Sequence, residues 1–174
     1  MTAPSLRTRS YDYAVSPPDL AAAATLTGLE QIQAMLDGRG AAPPSMAATM
    51  GLSAPTDLAE GRAAFEAETA DWMLNPLGSV HGGFAATLLD SALGVCVHTS
   101  LPPGFGYTTA ELKINYTRAL PPTGLRVRAV GEVVHRGRRM ATAEARLTGV
   151  EDGRLYAHGS TTCFIFPSAE RAAA

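Results

Sequence analysis

The sequence predicts an α+β domain in which an antiparallel sheet curls around one long buried helix. Three observations predict it. The stretch Gly82 to Thr99 has small or apolar side chains all round, among them Ala85, Ala86, Leu88, Leu89, Ala92, Leu93, Val95 and Val97. A helix apolar on every side belongs in a core. From Tyr107 to Phe166 every segment reads as strand, with short turn signals between. The chain has 174 residues, 46% of them apolar and 17% charged, which suits one globular domain with a sizeable core.

In chain order, residues 1–18 are polar, end in Pro17-Pro18 and read as a mobile leader. Asp19 can cap a helix running to Leu36, in which Leu26, Leu29, Ile32, Gln33 and Leu36 follow the three-four spacing of one face. Gly38-Arg39-Gly40 stops that helix and Pro43-Pro44 prevents a restart. Met46 to Gly51 forms a further helical turn, Leu52 to Ala54 a short strand, and Arg62 to Thr69 a second strand. A loop from Asp71 to Val80 leads into the long helix, which Pro102-Pro103-Gly104 closes.

Tyr107 to Arg118 alternates, with Ala110, Leu112, Ile114 and Tyr116 on one face and Thr109, Glu111, Lys113 and Asn115 on the other. Pro121-Pro122-Thr123-Gly124 turns the chain into Leu125 to Arg136, where the pattern slips at Gly131 and predicts a bulge there. A tight turn at Gly137 and a strand from Arg139 to Leu147 follow. Asp152-Gly153 is a hairpin signal before the last strand, Leu155 to Phe166. The organisation expected is a leader at 1–18, a helical extension at 19–45, the core domain at 46–167 and a frayed tail at 168–174.

Composition excludes several classes. A net charge of −2 gives no footprint for nucleic acid or an anionic membrane. No apolar run reaches the length of a membrane span. The N-terminus has Arg7 and Arg9 but no apolar segment of a secretory signal, so a cytoplasmic protein is the default expectation. Cys96 and Cys163 both lie in apolar runs and read as small core residues. His98, His135 and His158 are scattered and make no metal-binding spacing.

The chemistry lies at the start of the long helix. Backbone N–H groups there have no intrahelical partner, and with the helix dipole they suit an oxyanion. Gly82 and Gly83 let a ligand approach the bare backbone. Asp90 then places a lone carboxylate in an otherwise apolar helix, at a desolvation cost that asks for a reason. Asp90 is eight residues beyond Gly82. That spacing is about 12 Å along a helix, whereas reacting atoms must come within about 3–3.5 Å. One chain therefore cannot present both groups to one small substrate. Two antiparallel copies about a two-fold axis can, with two equivalent sites.

Asn75-x-x-Gly78-x-x-His81-Gly82-Gly83, then Asp90 and an alternating strand, resembles the PaaI-type hotdog-fold acyl-CoA thioesterases. The resemblance runs roughly from Leu58 to Phe166. It implies a helix wrapped by an antiparallel sheet, a homodimer, and in many members a homotetramer built as a dimer of dimers. It implies hydrolysis of an acyl-CoA, aromatic such as phenylacetyl-CoA or medium- to long-chain, with no metal or cofactor. Carried over by position, Asp90 is the nucleophile or the general base and the Gly82 N–H polarises the thioester carbonyl, with Gly83 nearby. Asn75 positions water or substrate, and His81 supports the loop and the leaving thiolate. Thr109 holds the water or Asp90, and a one-residue slip would give that role to Thr108. Arg136, Arg138 and Arg139 flank the Gly137 turn where the phosphates of coenzyme A would find basic residues; a solvated hairpin tip is the competing reading.

A non-catalytic acyl-CoA-binding module is the alternative, and the Asn75/Asp90 pair argues against it. A dehydratase or hydratase on the same fold would place a catalytic His and Asp close together on the helix and its loop, a pattern absent here. The extension bearing Leu26, Leu29, Ile32 and Leu36 covers a pocket mouth, packs on an oligomer or simply shields the sheet.

Overall fold

The computed structural model describes residues 5–168, so the first four residues and all but the first residue of the tail expected at 168–174 lie outside it. Six strands, β1 (Thr56–Ala59), β2 (Arg62–Glu68), β3 (Phe105–Tyr116), β4 (Arg126–Arg136), β5 (Met140–Gly149) and β6 (Leu155–Pro167), form one antiparallel sheet. Its order is β1-β2-β4-β5-β6-β3. The sheet wraps a long helix, α4 (Gly82–Thr99), which packs against every strand. Three shorter helices precede it: α1 (Leu20–Thr25), α2 (Gly28–Leu36) and α3 (Ser45–Met50). This is the α+β hotdog arrangement expected from the sequence.

α4 forms where expected because it is an apolar run, carrying three Ala and three Leu, that is capped at both ends. His81 accepts the Gly83 N–H at Nδ1 (2.9 Å), and the hydroxyls of Thr99 and Ser100 donate back to Cys96 and Val97 carbonyls (2.8 and 2.7 Å) before Pro102-Pro103 ends it. Leu88, Leu89, Ala92, Leu93, Cys96 and Val97 are fully buried against the sheet. The burial is not all round, however. Ala86, Thr87, Asp90, Ser91 and Val95 form a half-open stripe that the chain's own sheet does not cover. Thr87 and Ser91 there bond their hydroxyls to carbonyls one turn back, at Gly83 and Thr87.

Four elements differ from the sequence pattern. The helix expected from Asp19 to Leu36 is two, because Leu26 is extended and Thr27 begins α2 with a reciprocal capping box to Glu30. Asp19 caps α1 as expected, accepting from Ala22 N. Leu52 to Ala54 is not a strand. Pro55 follows it, and the first strand is β1, turned onto β2 through Gly61 at φ 74°. The bulge in β4 lies at Val134 rather than Gly131, as the register slips between Val133 and His135. Gly131 faces α4 instead, where a Cβ would stand 2.4 Å from the Ala92 carbonyl oxygen. A second bulge, at Ala110 in β3, reverses the alternation before it. Thr109 pairs with buried Cys163 and faces α4, while Thr108 pairs with exposed Phe164 and faces away.

Candidate functional site

The loop before α4 is built around Asn75. Its amide oxygen accepts from Leu77 N (2.8 Å) and Ser79 N (3.3 Å), and its amide nitrogen donates to Ser79 Oγ (2.8 Å). The loop is closed by a bridge between Leu74 and Val80 and by His81 N donating to Met73 O (2.7 Å). These bonds fix the point at which the chain enters α4. Gly82 follows as the first helical residue, and its N–H has no hydrogen-bond partner among the described residues. The Gly83 N–H, by contrast, is occupied by His81, which presents its other ring nitrogen to solvent.

Tyr116 completes this corner. Its hydroxyl donates to the Gly82 carbonyl (3.1 Å), and its ring lies where a side chain at Gly82 would begin, 3.1–3.2 Å from an ideal Cβ. Asn75, Ser79, Gly82 and Tyr116 line one recess of about 360 Å³. Tyr116 and Ser79 were not singled out as site residues by sequence reasoning. The only signal for Tyr116 was its place on the Leu112 and Ile114 face at the end of an alternating strand, and for Ser79 there was none.

Asp90 lies elsewhere. It is half-buried and lines a second, largely apolar cavity of about 660 Å³ together with Thr87, Ser91, Gly94, Tyr107 and Thr109. Thr109 Oγ1 donates to Asp90 Oδ1 at 3.3 Å, a long hydrogen bond. Burial raises the Asp90 carboxyl above the ordinary aspartate range, and the Thr109 hydrogen bond opposes that shift. The result is a carboxylate that is poorly solvated and therefore more basic than a surface aspartate.

Within one chain the expected site residues thus fall into two groups. Asn75, His81, Gly82 and Gly83 gather at the head of α4, and Asp90 with Thr109 sits two helical turns on. Thr108 joins neither group. Arg136, Arg138 and Arg139 form the exposed β4–β5 hairpin tip, and none is ion-paired among the described residues. The tip lies at the Asp90 end of the sheet, since Arg139 O accepts from Ile165 N and Ile165 pairs with Tyr107.

Burial pushes the Cys96 thiol up to about 12 and raises Cys163 as well, which disfavours the thiolate of both. Among the described residues no cluster of His, Cys, Asp or Glu is placed to hold a metal ion, and no helix is long and apolar enough to cross a membrane.

Comparison with known proteins adds to this geometry. Residues 77–156 match the family model described as thioesterase superfamily, a span that includes His81 to Asp90, Thr109 and the arginine hairpin. A candidate esterase of Halobacterium salinarum is 37% identical over 67 residues, covering 38% of this chain and 44% of its own length. The match therefore spans less than half of that curated relative. The phenylacetic acid degradation protein PaaI of Thermus thermophilus, solved as a point mutant, is 30% identical with a TM-score of 0.63, over 70% of this chain and 98% of that one. A Streptococcus mutans protein solved bound to acetyl CoA is 26% identical with a TM-score of 0.59, over 65% of this chain and 87% of that one.

Proposed function

The chain belongs to the thioesterase superfamily, and from that premise we propose that it is an acyl-CoA thioesterase working as a homodimer. The observation that carries the reading is the pairing of a desolvated Asp90 carboxylate with a Gly82 N–H, at a helix N-terminus, that has no partner among the described residues. The two are about 12 Å apart along α4, so a working site takes Asp90 from one chain and Gly82 from its twin.

Strand β3 supports that assembly. It is twelve residues long, forms one edge of the sheet, and leaves a row of backbone groups unpaired. Antiparallel pairing of two such edges, centred on Lys113 and with the bulged Ala110 left out of the ladder, lays Thr109 of one chain beside Tyr116 of the other. The Asp90 group then meets the Gly82 group twice, about one two-fold axis. A tetramer as a pair of such dimers is the next level of assembly.

In this reading the thioester carbonyl oxygen takes the Gly82 N–H, while Asn75 and His81 hold the loop that presents it. Asp90 accepts a proton from water as the water oxygen bonds to the carbonyl carbon. The carbon–sulfur bond breaks, and the thiolate leaves with the electron pair and is protonated. Alternatively Asp90 itself attacks, giving an anhydride and thiolate, and water opens the anhydride. Both routes need the ionised carboxylate. A thiolate leaves readily, since thiols ionise near a pKa of about 8.5, so no strong acid is required. Arg136, Arg138 and Arg139 are assigned to the coenzyme A phosphates, because arginine matches phosphate geometry.

A thiol-release assay over aromatic and aliphatic acyl-CoAs tests the function, with Asp90→Asn alongside. Release by the wild type and loss of about 10²–10⁴-fold in the variant is expected for removal of a general base. Tight acyl-CoA binding without release would make the chain a binding module instead.

A further inference from the structure

The cavity beside Asp90 has a wall that the wrapped helix and sheet do not supply. Opposite α4 and β3 it is lined by Ile32, Met35 and Leu36 of α2, Met46 of α3 and Leu52 just beyond it. This wall is fixed in place. Gly28, at the start of α2, donates its N–H to the Leu101 carbonyl (3.0 Å), and a Cβ there would fall 1.7 Å from the His98 carbonyl oxygen. The backbones are as close as they can be. The end of α3 is held by Arg9, which donates to Thr49 O (2.7 Å) while its guanidinium lies over the Trp72 ring (3.8 Å). Arg7 pairs with Asp71 in the same segment.

The size of the cavity discriminates between acyl groups. An apolar void of about 150 Å³ is enough for benzene. At about 660 Å³ this cavity would be left mostly unfilled by a phenylacetyl group, and unfilled apolar space forfeits dispersion contacts. Two of the wall residues are methionines, whose unbranched side chains adapt to a flexible guest.

Resting on the thioesterase reading above, we propose that this cavity takes the acyl group of the substrate, that the group is an unbranched aliphatic chain, and that α2 and α3 set its length. Met35 is then a specificity-determining residue, although it lies outside the part of the chain that carries the reaction.

The test uses the full chain, wild type and with Met35→Trp or Met35→Ala, in two measurements. The first is kcat/KM for butyryl-, decanoyl-, palmitoyl- and phenylacetyl-CoA. The second is calorimetric Kd for decanoate and phenylacetate, which does not depend on hydrolysis. The expected result is a preference for decanoyl over phenylacetyl in the wild type. Met35→Trp lowers the decanoyl-to-butyryl ratio at least tenfold and weakens decanoate at least tenfold, and Met35→Ala shifts preference toward palmitoyl. Phenylacetyl preferred by the wild type, or ratios and Kd moved less than twofold by both variants, would overturn the proposal. If no acyl-CoA is hydrolysed but decanoate binds and Met35→Trp weakens it, the cavity assignment stands and the thioesterase reading falls.

Discussion

Replacing Gly82 with proline removes a single hydrogen-bond donor from the proposed site and very little else. Gly82 is the first residue of α4, the helix position where proline is best tolerated, because its missing N–H has no intrahelical partner there. The preceding residue must be extended, and His81 already is, at φ −63° and ψ 135°. The cap from His81 to Gly83 and the His81–Met73 bond do not involve the lost hydrogen. The one steric cost is at Tyr116, whose ring lies 3.1 Å from the new Cβ. That ring is on a residue 56% exposed, so it can swing outward. Gly82→Ala brings the same crowding and keeps the N–H, so the pair of variants isolates the donor. Loss of one oxyanion donor costs about 10²–10³ in kcat, or about 2.7–4 kcal/mol of barrier. The expected result in a steady-state thiol-release assay is that loss for proline, a small effect for alanine, and similar melting temperatures. Equal activities of the two variants would refute the role given to the Gly82 N–H.

Three further outcomes follow from the same structure. Burial raises the Asp90 carboxyl above its unfolded range, so the ionised form costs stability at neutral pH and the cost disappears as pH falls below the unfolded pKa. Asp90→Asn therefore raises the melting temperature at pH 7, and the gain shrinks on acidification; a lower melting temperature at pH 7 would contradict it. The acid limb of kcat/KM lies above the ordinary aspartate range, and Thr109→Val, which deletes the hydrogen bond opposing the shift, moves it higher still in a pH–rate profile. Gly131→Ala forces a methyl against the Ala92 carbonyl and should destabilise by about 1–3 kcal/mol, read by chemical denaturation.

The long helix and the strands were legible because their signals are local. An apolar run between paired glycines and Pro102-Pro103 has few alternatives, and alternation marks a strand whatever it pairs with. The bulges were less legible. One extra residue at Ala110 moves Thr109 to the helix side, and only the register against β6 shows where the slip occurs. At Gly131 the broken pattern was real but its cause was close approach of α4, with the bulge displaced to Val134. Of the site, the separation of Gly82 and Asp90 could be worked out from helical rise alone. What the sequence left open was the extension. Its helices were readable, but that Ile32, Met35 and Leu36 line a cavity with Asp90 depends on packing across some sixty residues of chain.

The two-chain site is tested most directly by mixing dead halves. Asp90→Asn and Gly82→Pro chains are each expected to be nearly inactive, yet a heterodimer of the two retains one intact site, with Asp90 from one chain and Gly82 from the other. Refolding or exchanging them in equal amounts should restore about a quarter of wild-type kcat per chain, since about half the dimers are mixed and each carries one site of two. Sedimentation on the same mixture should show dimers or tetramers. If the mixture stays as inactive as its parents while mixed dimers are demonstrably present, the site does not combine Asp90 of one chain with Gly82 of another.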